Sequence, residues 1–201
     1  MKRMLSKRSA ALAAVAWMIA VAVLGLLFAC VRQAPDQPLQ VDFQRSITSG
    51  GFVREYWVHL PPTYTQSSNL HPLILCLHGS GGSGEGMKHY SGMDSAADEY
   101  DAIVVYPTAY GGNWAEGIEA RPDGMGVDDV AFVRDLLSLL REELHLDSTR
   151  IYAVGFSQGA SFAHRLVVDL PGIFQAYATV SASISHAVAQ RYQTPAPVPF
   201  S

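Results

Sequence analysis

The sequence predicts an α/β domain: a mostly parallel central sheet, entered through an N-terminal antiparallel hairpin and covered by helices on both faces. Three observations carry this. Short apolar runs at 73–77, 102–106 and 151–154 lack polar alternation, as strands covered on both faces do. Segments with helical periodicity separate these runs. Two alternating segments joined by Ser49-Gly50-Gly51 precede them.

In chain order, Leu39, Val41 and Phe43 alternate with Gln40, Asp42 and Gln44, the two-residue period of a half-buried strand. Beyond the glycine turn, residues 52–60 form its partner, with Tyr56, Trp57 and Val58, and Pro61-Pro62 stops it. After the strand at 73–77, residues 91–100 read as a weak helix leading to the strand at 102–106. Residues 128–145 place Val133, Leu136, Leu137, Leu140 and Leu144 on one stripe, with Arg134, Asp135, Arg141 and Glu142 off it. Asp128 or Asp129 caps its start, where a carboxylate accepts free backbone N–H groups and suits the helix dipole. The strand at 151–154 feeds a helix at 157–170, ended by Pro171-Gly172, and a further strand follows near 176–181. His59, His71, His89 and His145 fall at element boundaries and are expected to face solvent. Cys76, in an apolar run, is expected to be a small core residue.

The chain has 201 residues, one domain of ordinary size. Of its 14 Lys and Arg, Lys2, Arg3, Lys7 and Arg8 precede residue 30, whereas all 18 Asp and Glu follow it. The acidic body argues against nucleic acid as a partner, because phosphate binding needs clustered cations. The basic start and the uncharged run from 9 to 31 read as an export signal over 1–29. Its ending, Leu27-Phe28-Ala29-Cys30, resembles a bacterial lipobox, so Cys30 is the expected lipidation site; an uncleaved membrane anchor and ordinary cleavage are the alternatives. Each places the body outside the cytoplasm, touching membrane only through its N-terminus. Residues 30–38, with Pro35 and Pro38, read as a tether, and 39–201 as the folded domain. Two cysteines cannot build a disulfide framework, and no Cys/His cluster has metal-ligand spacing, so neither a metal nor a cofactor is expected.

Two motifs carry chemistry. Gly155-Phe156-Ser157-Gln158-Gly159 lies between a strand and a helix, the context G-x-S-x-G requires. The turn is tight enough to force its serine into strained backbone angles, and only small neighbours fit. Ser157 is therefore the candidate nucleophile, at a helix N-terminus that favours developing negative charge. His78-Gly79-Ser80-Gly81-Gly82 follows the strand at 73–77. Its glycines free backbone N–H groups, and the amide of Ser80 or Gly81, together with that of Gln158, is expected to hold an oxyanion. A phosphate loop is the bland alternative, without the Walker lysine or a full dinucleotide fingerprint.

HGSGG at 78–82, Tyr106-Pro107, Gly112-Asn113-Trp114, Val127-Asp128-Asp129-Val130 and GFSQG at 155–159, in this order, resemble the polyhydroxybutyrate-depolymerase-like esterases. That group of α/β-hydrolases also contains feruloyl and acetylxylan esterases. The resemblance implies the α/β-hydrolase fold and carboxylic-ester hydrolysis through a Ser-Asp-His triad without a cofactor. It implies Ser157 as nucleophile, Ser80, Gly81 and Gln158 as the oxyanion hole, and His78 as a structural residue of its loop. Polyester, feruloyl and acetyl esters are all open as substrates. Trp114, Tyr110 and Tyr90 lie in expected loops, where they would stack on an aromatic acyl group or a sugar, or pack locally.

The triad order in this fold is Ser, acid, His, with acid and His after later strands. Residues 197–201 read as the start of the acid-bearing strand, so the domain is expected to be incomplete at its C-terminus, its last strands missing. His164, seven residues past Ser157, would lie about 10 Å along the helix axis, too far for a hydrogen bond. His186, just past a strand end, is the one internal candidate for the base. Two classes of function follow: an exported serine esterase, or a non-catalytic surface lipoprotein holding a small ligand or carbohydrate in a degenerate pocket.

Overall fold

A computed structural model describes residues 41–64, 69–117 and 126–191. The expected export signal, Cys30, the tether and the segment 197–201 lie outside the described residues. Among the described residues no helix is long and apolar enough to cross a membrane.

Among the described residues six strands form one sheet: β1 (Asp42–Ser49), β2 (Phe52–His59), β3 (His71–Leu77), β4 (Ile103–Pro107), β5 (Leu146–Phe156) and β6 (Ala176–Val180), in the spatial order β1-β2-β4-β3-β5-β6. β1 pairs antiparallel with β2 in the register Asp42↔His59 to Ser49↔Phe52, and β2 pairs antiparallel with β4. β4, β3, β5 and β6 are mutually parallel. The expected hairpin and parallel core are therefore present. The first strand lies further along than the alternation at 39–44 indicates, because pairing with β2 carries it to the turn at Gly50 and Gly51. β5 is longer than expected: its first residues, Asp147 to Arg150, are polar and mostly exposed, and carry no apolar signal.

Among the described residues there are five α-helices: α1 (Gly84–Ser91), α2 (Met93–Glu99), α3 (Asp129–Glu143), α4 (Gln158–Asp169) and α5 (His186–Arg191). The weak helix expected at 91–100 is α2, and α1 before it, which the sequence reading did not predict, ends at Gly92 with φ 64°. The sheet separates two apolar layers by its period of two. Leu73, Leu75, Leu77, Ile103 and Val105 pack with the stripe of α3 and with Phe162 and Leu166 of α4. Cys76, Val104 and Tyr106 face the other way, toward Met87 of α1 and Ala97 of α2. Each fully buried Leu or Phe contributes about 1.5–3 kcal/mol to this arrangement. Burial pushes the Cys76 thiol up to about 12, as suits an inert core cysteine.

Two expectations about histidine are overturned. His59 and His71 are 7 % and 1 % exposed rather than solvent-facing. His71 Nδ1 lies 3.0 Å from the Asp101 carbonyl. His59 is bracketed by carboxylates, Nδ1 at 2.8 Å from Asp42 and Nε2 at 2.9 Å from Asp98. Boundary positions become interior ones because α2 and the chain before β4 fold over the ends of β2 and β3.

Candidate active site

The site sits at the C-terminal ends of β3 and β5, the edge where open α/β sheets place their chemistry. β5 ends at Phe156, α4 begins at Gln158, and Ser157 joins them at φ 53°, ψ −121°. For a serine this region costs on the order of 1–3 kcal/mol and persists only when its surroundings impose it. Here they do. The Ser157 N–H donates to the Val180 carbonyl of β6 at 2.8 Å, and its own carbonyl accepts from Ala160 and Ser161. The flanking glycines are obligatory. A Cβ on Gly155 would lie 2.3 Å from the Gly159 carbonyl oxygen, and one on Gly159 would lie 2.5 Å from the carbonyl oxygens of Leu77 and His78. β5, β3 and α4 thus meet backbone to backbone under a half-exposed Ser157.

The glycine loop after β3 lies directly beside the serine: a Cβ on Gly79 would come within 3.3 Å of Ser157 Cβ. His78 anchors the loop. Its ring is buried, and its Nε2 accepts from the Ala109 N–H at 3.0 Å. Nδ1 therefore carries the proton and donates to the Gly79 carbonyl at 2.7 Å. Burial pushes this imidazole below its ordinary range, outweighing the opposing hydrogen bond to Gly79. Both ring nitrogens are spent on backbone, which makes His78 a structural residue and removes it as a base for Ser157.

The two expected oxyanion donors in this loop are distinguished by their partners. The Gly81 N–H already donates to the Gly112 carbonyl at 2.8 Å, so Gly81 is corrected from donor to structural turn residue, at φ 70°. The Ser80 N–H has no partner among the described residues, and its hydroxyl donates to Asn113 Oδ1 at 2.5 Å. Gln158 opens α4, so its amide is a first-turn N–H without an intrahelical carbonyl. Its side chain turns away and accepts from the Trp114 N–H at 3.0 Å.

Trp114 is a second correction. Rather than standing ready for substrate, it is 2 % exposed, stacks on Phe162 with ring centroids 4.8 Å apart, and donates from its indole N–H to the His78 carbonyl at 2.9 Å. It is a strut between α4 and the glycine loop. Tyr110 is half-buried, edge-on to Phe52 at 4.9 Å. Tyr90 is the exposed aromatic, tilted against Phe156 at 5.6 Å.

Asp128 caps α3, accepting from Val130 and Ala131 N–H at 3.0 Å each. Asp129 does something the sequence reading missed. Fully buried, it pairs with Arg54 at 2.6 Å and accepts from the Ala115 N–H at 2.7 Å. Arg54 and Arg165 were both overlooked. Arg165 donates to the Ala115 carbonyl, and Arg54 to that of Thr108 at 3.3 Å. A signal for Arg54 existed: it falls in phase with buried Tyr56 and Val58 on β2, and a cation in the inward phase needs a buried partner.

Neither internal histidine reaches the serine. His164 is buried on α4 with Nδ1 3.3 Å from Tyr177 Oη. His186 opens α5, exposed, against Gln190. The Ser157 hydroxyl has no hydrogen-bond partner among the described residues.

The family model for "Esterase PHB depolymerase" matches residues 54–191. Feruloyl esterase B of Thermothelomyces thermophilus is 31 % identical over 113 residues, 55 % of this chain and 38 % of its own length. Feruloyl esterase C of Emericella nidulans is 27 % identical over 65 % of this chain and 47 % of its own. The bifunctional acetylxylan esterase/xylanase XynS20E of Neocallimastix patriciarum is 26 % identical over 78 % of this chain and 22 % of its own. The chain thus spans less than half the length of these relatives. Among solved structures, a thermostable esterase superposes with a TM-score of 0.62 at 16 % identity, over 80 % of this chain and 45 % of that one. An acetyl xylan esterase from Aspergillus awamori gives 0.55 at 21 % identity, over 72 % and 55 %. These likenesses establish the fold as that of the α/β-hydrolases.

Proposed function

The chain belongs to the Esterase PHB depolymerase family, and from that premise we propose that Ser157 attacks the carbonyl carbon of a carboxylic ester. The observation that carries this reading is the serine at φ 53°, its main chain locked between β6 and α4, with the glycine loop alongside. As the Oγ–C bond forms, the carbonyl oxygen gains negative charge. The N–H groups of Ser80 and Gln158 receive it, each such donor being worth about 3 kcal/mol of barrier. The proton leaves with the alcohol, the acyl group stays on Ser157, and water clears it. Among the described residues, which include all seven histidines, none is hydrogen-bonded to the Ser157 hydroxyl. Polyhydroxyalkanoate, feruloyl and acetyl esters are the substrate classes in view. The body is exported, held at the envelope by lipid on Cys30.

A second reading, a non-catalytic envelope protein that binds a small ligand, is favoured by the unpartnered hydroxyl of Ser157. Hydrolysis of p-nitrophenyl acetate separates the two. Turnover abolished by Ser157→Ala supports the esterase, and absence of turnover supports the binder. Labelling of Ser157 by a fluorophosphonate reports activation of the serine directly. For the anchor, Cys30→Ser is expected to shift the protein from membrane to soluble fractions; retention at the membrane overturns lipidation.

A further inference from the structure

A pocket of about 240 Å³ opens between the C-terminal half of α3 and the end of α4. Leu137, Leu170 and Ile173 form its floor, and the exposed Arg134 and Arg141 stand at its rim. We propose that it binds an amphiphilic organic anion, a carboxylate on a ring-sized apolar body, with the two arginines on the carboxylate and the floor under the body. α4 runs for 12 residues, about 18 Å, from Ser157 to this pocket. The site is therefore separate from the candidate active site, and the proposal stands apart from the esterase reading.

The charge of the ligand follows from which cations gather here. Beyond residue 30 the chain carries more acids than bases. Yet four of the eight Lys and Arg among the described residues, Arg134, Arg141, Arg165 and Arg191, meet at this pocket. Arg165 Nε at 3.1 Å and Arg191 Nη1 at 2.7 Å donate to Asp169, the one carboxylate in the wall, and so neutralise it. Arg134 and Arg141 have no hydrogen-bond or ion-pair partner among the described residues. Asp135 and Glu142, next along α3, lie about 100° further round the helix. Asp135 accepts from Ser49 Oγ at 2.6 Å instead. The negative end of α4 offsets only about half a charge. The surplus is positive, and an anion is what it favours.

The chemistry of the anion follows from geometry. Arg134, Leu137 and Arg141 are spaced i, i+3 and i+7 and share one face of α3. The arginines are about 10 Å apart along the axis, with Leu137 between them. Two long side chains reaching inward from either end can close on one carboxylate above an apolar floor. The guanidinium fork matches a carboxylate and, being weakly hydrated, gives up water at low cost. The leucines and Ile173 gain only from an apolar body, which bare phosphate lacks. An apolar cavity of about 150 Å³ already holds benzene, so there is room for a ring.

Titration of the full chain with benzoate, followed by NMR, tests this. The amides of 134–141 and 169–173 and the Nε–H groups of Arg134 and Arg141 are expected to shift saturably. Benzyl alcohol keeps the ring without the charge, and inorganic phosphate the charge without the ring; each should bind at least tenfold more weakly. Arg134→Gln combined with Arg141→Gln should weaken benzoate at least tenfold and keep the parent thermal transition, because both side chains are exposed. Benzyl alcohol or phosphate binding as tightly as benzoate, full affinity in the double variant, or shifts confined to Ser80 and Gln158 overturns the proposal. So does the absence of any saturable shift. Phosphatidylglycerol vesicles that hold the parent chain but not the double variant, with benzoate unbound, would make the patch lipid-facing and overturn it too.

Discussion

Arg54 and Asp129, 75 residues apart in the chain, meet at 2.6 Å with neither side chain more than 2 % exposed. The guanidinium lies over the Phe132 ring at 3.9 Å, and the second carboxylate oxygen holds the Ala115 N–H. Together they moor both ends of the segment from Thr108 to Ala115. That segment in turn supplies the Ala109 N–H to His78, the Gly112 carbonyl to Gly81 and the Trp114 indole to the His78 carbonyl. The ion pair is therefore the far foundation of the glycine loop beside Ser157.

Removing one partner leaves the other charged and buried, which typically costs about 3–5 kcal/mol. Arg54→Met is expected to lower stability by that amount in urea unfolding. Arg54→Met with Asp129→Leu should recover part of it, the remainder being the orphaned Ala115 N–H. A loss below about 1 kcal/mol for Arg54→Met would contradict this account of the pair.

Strain at Ser157 predicts an inverse relation between stability and reactivity. Ser157→Gly relieves the positive φ and should raise stability by about 1 kcal/mol, while Ser157→Ala, still bearing a Cβ, should change it little. Both should abolish fluorophosphonate labelling. Equal stability of the Gly and Ala variants in denaturant titrations would show that the turn is unstrained.

Trp114→Phe keeps most of the stack on Phe162 but deletes the hydrogen bond to the His78 carbonyl. A stability loss of about 1–2 kcal/mol is expected. Because Trp114 is enclosed, substrate affinity should not move, whereas the rate should fall as the glycine loop loosens. A rise in KM with kcat intact would restore Trp114 to the substrate surface.

His59 predicts a pH dependence. Burial opposes its charge, but hydrogen bonds to Asp98 and Asp42 and the nearby Asp94 carboxylate prevail and raise its pKa above 6.5. A raised histidine contributes stability fully present below about pH 6.5 and lost as pH climbs through the folded value. Thermal midpoints of the parent and His59→Gln should therefore differ most near pH 5.5 and converge toward alkaline pH. A gap that widens with pH would reverse the assignment. Lys88, which also pairs with Asp42 and Asp94, holds that cluster in both proteins.

Much of the fold was legible because its signals are local. Residues 73–77 and 102–106 declared buried strands, and the α3 stripe declared its face. The elements missed were those whose signal is not hydrophobic: the polar start of β5, and α1, whose sequence GEGMKHYS carries two glycines and one buried apolar side chain. At the site, the small residues of GFSQG announced the turn that their packing distances bear out. Arg54 was legible in its strand phase and was passed over. His59 and His71 were misplaced because an element boundary in sequence says nothing about what folds across it.

From the sequence alone came the family, the strained serine and the glycine loop, because a sharp strand-to-helix turn restricts residue type at fixed short spacing. Tertiary structure alone decided that Gly81 is spent on Gly112 while Ser80 keeps its amide, that Trp114 is a strut, and that Asp129 is a buried counter-ion. Those roles depend on hydrogen-bond partners far along the chain. Which donor is consumed and which stays open is fixed by three-dimensional proximity, and no local pattern encodes it.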